Sequence, residues 1–452
     1  MHDVRRWSDA HPSRAPADLP PLVWIAAPDA LRHARIDAPP RTIAAGGRSF
    51  ALDVVAPLPL NRAWIDARSW AWFSEHAFVA RGSRDGERFV ARTLWPEAFR
   101  IGPSALPLRP LDAGATLSTG LRAWIQRTPA DAPYEAFALW QREPAASDWT
   151  GKAAIGVVLN GAQGDDDEAH AGHFSLVTGR IADDGSIAPW LVDNFYSLDI
   201  ESEKGILAAP VTLDNHFADL NAGQSWYRPS WLLVALLDDD RSAVRVQSAL
   251  GRVYRQFWRH QLGYYHPTDN CTSIAVDTLR ALGLEVPARG PTVGAVAPLL
   301  LPFLAWRERS LREARVAYDY LVAERTRLLP AVAFEAVADA LWRLVQGGAA
   351  RGALGREIAR DAVALVAIRV PQFPSSRAWG DAPVVSLDHY RRRLPADRAQ
   401  RKIVPVPARS FPDELRDDDL LPPLPHPSDR AVRLWRVGPL ALAAAGLIAL
   451  LR

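Results

Sequence analysis

The chain has 452 residues, enough for two or three domains with sizeable cores. Its 53 basic and 51 acidic residues leave a net charge of +2, which gives no global attraction for nucleic acid. One cysteine in the whole chain excludes an internal disulfide and a multi-cysteine zinc site, and makes Cys271 the only thiol available for chemistry. No cofactor is expected.

Residues 1–20 are polar and Pro/Ala-rich, carry no apolar core of a secretory signal, and read as disordered. From 21 to 148 short strands prevail. Ser49–Val55 partly alternates, and Phe78–Arg92 places two apolar runs around Asp85-Gly86, a hairpin signal. With Trp64, Trp70, Trp72, Trp95 and Trp124, this stretch is expected to be a β-rich N-terminal domain. Residues 149–290 form the next unit. Ala153–Leu159 reads as a buried strand, and a second strand starts at His173. A turn over Ala182–Ser186 and a strand over Trp190–Tyr196 follow, then helices over Ala243–Gln261 and Thr272–Leu282. Residues 291–370 read as helical, with stripes through Leu311, Ala314, Tyr318 and Leu321, and through Phe334, Val337, Leu341 and Leu344. A third helix is expected over Ala353–Val370, stopped by Pro371. Residues 371–432 are Pro-rich and charged, a semi-extended linker. In the last segment, 433–452, Val437–Leu451 is uncharged and flanked by Arg433, Arg436 and Arg452. At 1.5 Å per residue a helix there reaches about 22 Å, against ~30 Å of hydrocarbon. The reading adopted is a tail anchor; an interfacial helix and a buried helix are the alternatives.

Chemistry concentrates around Cys271. Thr268, Asp269 and Asn270 all suit a helix N-cap, and Gly283 suits the C-terminal stop. A thiol in that first turn is favoured as thiolate by the helix dipole, and the first-turn amides could hold an oxyanion. On its own, Cys271 is equally a small buried hydrophobe. His173 follows Gly172 at the head of an apolar strand. About twenty residues on, Asp193 and Asn194 lie on the next strand, on opposite faces, so only one of them can orient the imidazole. Asp165–Glu168 with His170 and His173 could be read as a metal site, but a strand would part the two histidines, and a solvated acidic loop is the simpler reading. His216 and His266 are possible further ring partners, with a satisfied or surface histidine as the plainer reading. Trp226–Trp231 could line an acyl pocket or simply pack a core.

His on one strand, a polar residue on the next and Asn270-Cys271 at a later helix start resemble the permuted papain-like fold of the NlpC-type superfamily. Its lecithin:retinol acyltransferase branch also reads Asn-Cys. Gly172-His173, Val192–Phe195, Tyr227-Arg228-Pro229 and Asp269–Thr272 are similar to the N-terminal periplasmic domain of bacterial lipoprotein N-acyltransferases, over roughly residues 150–290. The resemblance implies an α+β fold: a permuted papain-like core of antiparallel sheet and nucleophile helix, with a β-rich N-terminal domain and a helical C-terminal region added. It implies Cys271 as nucleophile, His173 as base and Asn194 as orienting residue. It also implies an acyltransferase or hydrolase acting through a thioester on a lipid or acylated substrate such as a lipoprotein. The alternatives are a cell-wall peptide or amide hydrolase and a non-catalytic membrane-tethered binding protein. The family's multi-span membrane part has no counterpart in this sequence. The expected location is the inner membrane: the positive-inside rule applied to Arg433 and Arg436 puts the catalytic domain in the cytoplasm, whereas the resemblance implies the periplasm.

Overall fold

The computed structural model describes residues 27–55, 67–102, 106–111, 116–129, 132–143, 148–161, 172–196, 208–220, 223–226, 228–259, 261–291, 293 and 297–374. Its first unit is a closed five-stranded barrel. Strands β1 (Asp29–Asp37), β2 (Thr42–Ala45), β3 (Arg48–Val54), β4 (Ala77–Asp85) and β5 (Arg88–Pro96) close in the order β1-β2-β3-β5-β4, with helix α1 (Ala67–Glu75) between β3 and β4. Two tight turns set its register. Gly46 and Gly47, both at positive φ, make the two-residue turn from β2 to β3, and Gly86 at φ +59° turns β4 into β5 where the Asp85-Gly86 pair predicts a hairpin. Ile36, Ile43, Phe50, Phe78 and Phe89 are buried in the core that this barrel shares with the large sheet.

That large sheet has seven strands: β6 (Glu135–Gln141), β7 (Ala153–Asn160), β8 (His173–Arg180), β9 (Leu191–Asp193), β10 (Pro210–Thr212), β11 (Ser230–Leu237) and β12 (Ala362–Val370). They are ordered β10-β9-β8-β7-β11-β12-β6, every pairing antiparallel. Both faces are covered, which is why β7, β11 and β12 read as unbroken apolar runs. Ile155, Val157, Trp231 and Leu233 pack toward the helices, whereas Ala154, Val158, Leu232 and Val234 pack toward the barrel side. The helical layer comprises α2 (Leu117–Arg127), α4 (Arg241–Trp258), α5 (Cys271–Ala281), α9 (Pro330–Val345) and α10 (Ala353–Asp361); the short helix α3 (Leu213–Ala218) lies on the barrel side. Helices α6 (Ala297–Glu308), α7 (Leu311–Val322) and α8 (Arg325–Leu328) complete the described chain. The fold is thus mixed α+β with two sheets.

Three expectations need correction. Residues 353–370 are not one helix: α10 stops at Asp361, and Ala362–Val370 is a strand between β11 and β6. Four β-branched residues (Val363, Val366, Ile368, Val370) favour the pleat over the helix, and periodicity alone does not separate the two in a run this apolar. The unit at 291–370 is for the same reason not wholly helical. The barrel unit is also smaller than 21–148. β6 joins the large sheet through β12, and α2 docks on α9, with Arg122 bonded to Glu335 at 2.7 and 2.5 Å and the Ser118 amide donating to Asp339 at 2.9 Å. Among the described residues no helix is long and apolar enough to cross a membrane. Val437–Leu451, Trp64, nearly all of the 371–432 linker and the acidic loop with His170 lie outside the described residues.

Candidate active site

Helix α5 begins where its cap dictates. The Asn270 side chain accepts the amides of Thr272 at 2.8 Å and Ser273 at 3.0 Å, while the Asn270 amide donates to Ser273 Oγ at 2.8 Å, a complete capping box. Asn270 Nδ2 also donates to the His266 carbonyl at 2.6 Å, which ties the cap to the preceding turn. Such a cap is worth about 1 kcal/mol, and it fixes Cys271 as the first helical residue, at the positive end of the dipole. Cys271 is buried, with Sγ 3.8 Å from Thr272 Oγ1. The cap revises one expectation. The amides of Thr272 and Ser273 are bound by Asn270 and so are not open to an oxyanion.

The body of α5 packs directly on β8, with Ile274, Ala275 and Leu279 in one core with Phe174 and Leu176. His173 heads that strand, entered through Gly172 at φ +88°. By strand alternation His173 and Ser175 face away from Phe174 and Leu176, toward α3. There His173 Nε2 donates to Asn194 Oδ1 at 3.2 Å, and Ser175 Oγ donates to the same oxygen at 2.8 Å. Asn194 Nδ2 donates to His216 Nδ1 at 3.3 Å, and the Tyr254 hydroxyl donates to the Asn194 carbonyl at 2.6 Å. The amide is therefore held from three sides. The His173 ring lies on Tyr196, with centroids 4.2 Å apart and planes 10° from parallel. Tyr196 accepts from Gln224 at 3.1 Å, and Gln224 accepts from the buried Arg228 guanidinium at 2.9 and 2.5 Å.

The electrostatics follow from this burial. Desolvation, then Arg228 and His216, hold His173 well below the ordinary imidazole value, against the raising effect of Asn194. His216 is held down to about 3 by burial and Arg228. His173 is accordingly a neutral imidazole at neutral pH. With Nε2–H committed to Asn194, Nδ1 is the nitrogen that can take a proton.

Asp193 and Asn194 part as strand geometry requires. Asn194 meets His173, whereas Asp193 turns to the helix side and accepts from Gln247 at 3.2 Å. Burial pushes the Asp193 carboxyl up to about 8, and its Oδ2 has no hydrogen-bond partner among the described residues. The structure thus brings His173 and Asn194 together and sets the Cys271 helix on their strand. Among the described residues no hydrogen bond joins the thiol to the imidazole. His216 is no surface histidine: it is buried and belongs to the asparagine's support. His266 Nδ1 lies 2.9 Å from the Tyr320 hydroxyl. Trp226 and Trp231 are core residues, fully buried. Sequence reasoning gives no role to Ser175, Tyr196 or Arg228; the signals were Ser175 lying two residues from His173, on the same face, and Arg228 within the Tyr227-Arg228-Pro229 motif of the resemblance. No group of side chains suited to a metal ion occurs among the described residues.

No family model, no curated protein and no solved structure matches this chain.

Proposed function

We propose that this protein is a thiol-dependent acyltransferase or hydrolase on a permuted papain-like core, with Cys271 as nucleophile, His173 as base and Asn194 as positioning residue. The observation that carries the reading is the Asn194–His173 bond. It fixes the imidazole tautomer with Nδ1 as acceptor, at the head of the strand whose other face carries the Cys271 helix. The chain order of His, Asn and then Cys on an antiparallel sheet supports the permuted arrangement. In the reaction, the Sγ–H proton passes to His173 Nδ1 as sulfur attacks the carbonyl carbon of an ester or amide. Collapse of the tetrahedral oxyanion expels the alcohol or amine, which takes the proton from His173 and leaves an S-acyl enzyme. His173 then deprotonates water or an amine acceptor, whose attack frees Cys271 and releases an acid or an amide. Lipid acyl esters are the substrate class, and the segment 437–451 is the tether to the inner membrane.

The test is direct. Incubation with an acyl ester, quenched at acid pH, is expected to add one acyl mass to the peptide holding Cys271, the chain's only thiol. No adduct, together with binding of the intact ester, would instead mark a binding protein; an adduct from peptide amides alone would mark a cell-wall hydrolase. For the tether, the chain is expected to remain in the membrane fraction through high-salt washing, which screens charge contacts without removing hydrophobic ones. Release by salt would remove it.

A further inference from the structure

Helix α6 has a surface that does not suit water. Its first ten residues, Ala297 to Trp306, carry no charge, and a helix apolar on all sides belongs in a core or against lipid. Ala297 and Leu304 are buried, but Leu299, Phe303 and Trp306 are 67%, 50% and 73% exposed. Their spacing of four and three residues aligns them on one outward stripe, and Leu311, 73% exposed at the start of α7, adds to the exposed apolar surface. The turn that follows is arginine-rich. It reads Arg307, Glu308, Arg309, Arg312 and Glu313, three positive charges against two negative, and the three arginines are exposed. Arg309 holds φ +53°, a left-handed backbone that a non-glycine residue adopts at a cost, at the tip of the turn.

Helices α6 and α7 pack as a hairpin, and the root of that hairpin meets the nucleophile's turn. Tyr265 donates to Asp319 at 3.0 Å, Tyr320 lies 2.9 Å from His266, and the His266 carbonyl accepts from the Asn270 cap. Ten residues of helical rise separate tip from root, about 15 Å.

We propose that the α6–α7 hairpin docks on an anionic bilayer surface. Leu299, Phe303 and Trp306 seat at the acyl boundary, and Arg307, Arg309 and Arg312 lie among the headgroup phosphates. Tryptophan is suited to that boundary by its apolar body and polar N–H, and arginine can bury its stem while its head stays wet. The arginines also select this occupant. The chain's own segment 437–451 is uncharged and supplies no anion to meet them. Docking in this way turns the Cys271 turn toward the membrane. The proposal rests on surface chemistry, independent of whether Cys271 is reactive.

A polarity-sensitive nitrobenzoxadiazole label at Phe303→Cys tests it, in the full-length chain with Cys271→Ser so that no second thiol reacts. Vesicles of phosphatidylcholine with phosphatidylglycerol are expected to shift the emission to the blue. Lipids brominated in the acyl chain should quench it. Each of Arg307→Gln, Arg309→Gln and Arg312→Gln should weaken binding about fivefold. A label at Trp306→Cys repeats the measurement should the first variant misfold. Four results would overturn the proposal: an unshifted label with anionic vesicles; equal shifts on neutral and anionic vesicles; a blue emission present before vesicles are added, as cover by 437–451 requires; and a shift that grows with protein concentration, as a second copy requires.

Discussion

Cys271→Ala is expected to abolish turnover of acyl substrates, and His173→Ala to lower it by ~10²–10⁴, the usual contribution of a positioned general base. The two losses should not add when combined, because a nucleophile and its base act as one unit. Neither variant is expected to unfold the protein through its helix cap, since the capping box is made by Asn270 and Ser273 alone. His173→Ala does remove a ring stacked on Tyr196 and bonded to Asn194, so the readout needs a partner variant. His173→Gln keeps a donor for Asn194 Oδ1 and has no basic nitrogen. It should retain the fold, checked by denaturant unfolding, and lose turnover like the alanine variant. Full activity of Cys271→Ala would end the thiol mechanism. Full activity of His173→Gln would move the base elsewhere.

The largest expected effect on stability comes from Asp193, and it runs with pH. Its carboxyl is raised to about 8 in the fold, against about 4 in an unfolded chain. Between those values the folded state holds a proton that the unfolded state has released, so stability must fall as pH rises, by about 1.4 kcal/mol per unit, and level off above about 8. The two buried histidines act in the opposite sense. Both are lowered in the fold, so their contribution is complete above 6.5 and is lost as pH falls toward their folded values. The window from 6.5 to 8 therefore isolates Asp193. Urea midpoints of the native chain should descend across it, while those of Asp193→Asn stay flat; below 6.5 the variant should fall more steeply with acid than the native chain, in which Asp193 still opposes the histidines. Parallel curves across the window would show that the carboxyl is ionised in the fold and that a counter-charge reaches it.

Much of the barrel and of the strand–helix core was legible because its signals are local. The Asp85-Gly86 turn, the run Ala153–Leu159 and the strand headed by His173 each need only a few neighbouring residues to read and appear where expected, and of the three cap candidates Thr268, Asp269 and Asn270 it is Asn270 that caps the helix. Alternation says that only one of Asp193 and Asn194 can face the histidine; the preference for Asn194 came from the resemblance, because which residue faces His173 depends on pairing that lies outside the sequence. The failures have a common cause. Ala362–Val370 reads as a helix until its place between β11 and β6 is known, and β11 itself, Ser230–Leu237, hides beneath aromatic residues that draw attention to a pocket. His216 and Ser175 were legible as residue types but not as supports for Asn194, since three separate elements converge on that amide.

The position of β12 also governs how the protein can be made. Strands β6 and β11 are joined only through β12, which lies between them, and β12 is translated roughly 125 residues after β11 ends. At ribosomal speed that interval is on the order of ten seconds. Throughout it, β11 presents the edge Ser230–Leu237, eight residues without a charge, to whatever strand arrives first. A preparation refolded from denaturant should lose material to aggregates that increase with its concentration.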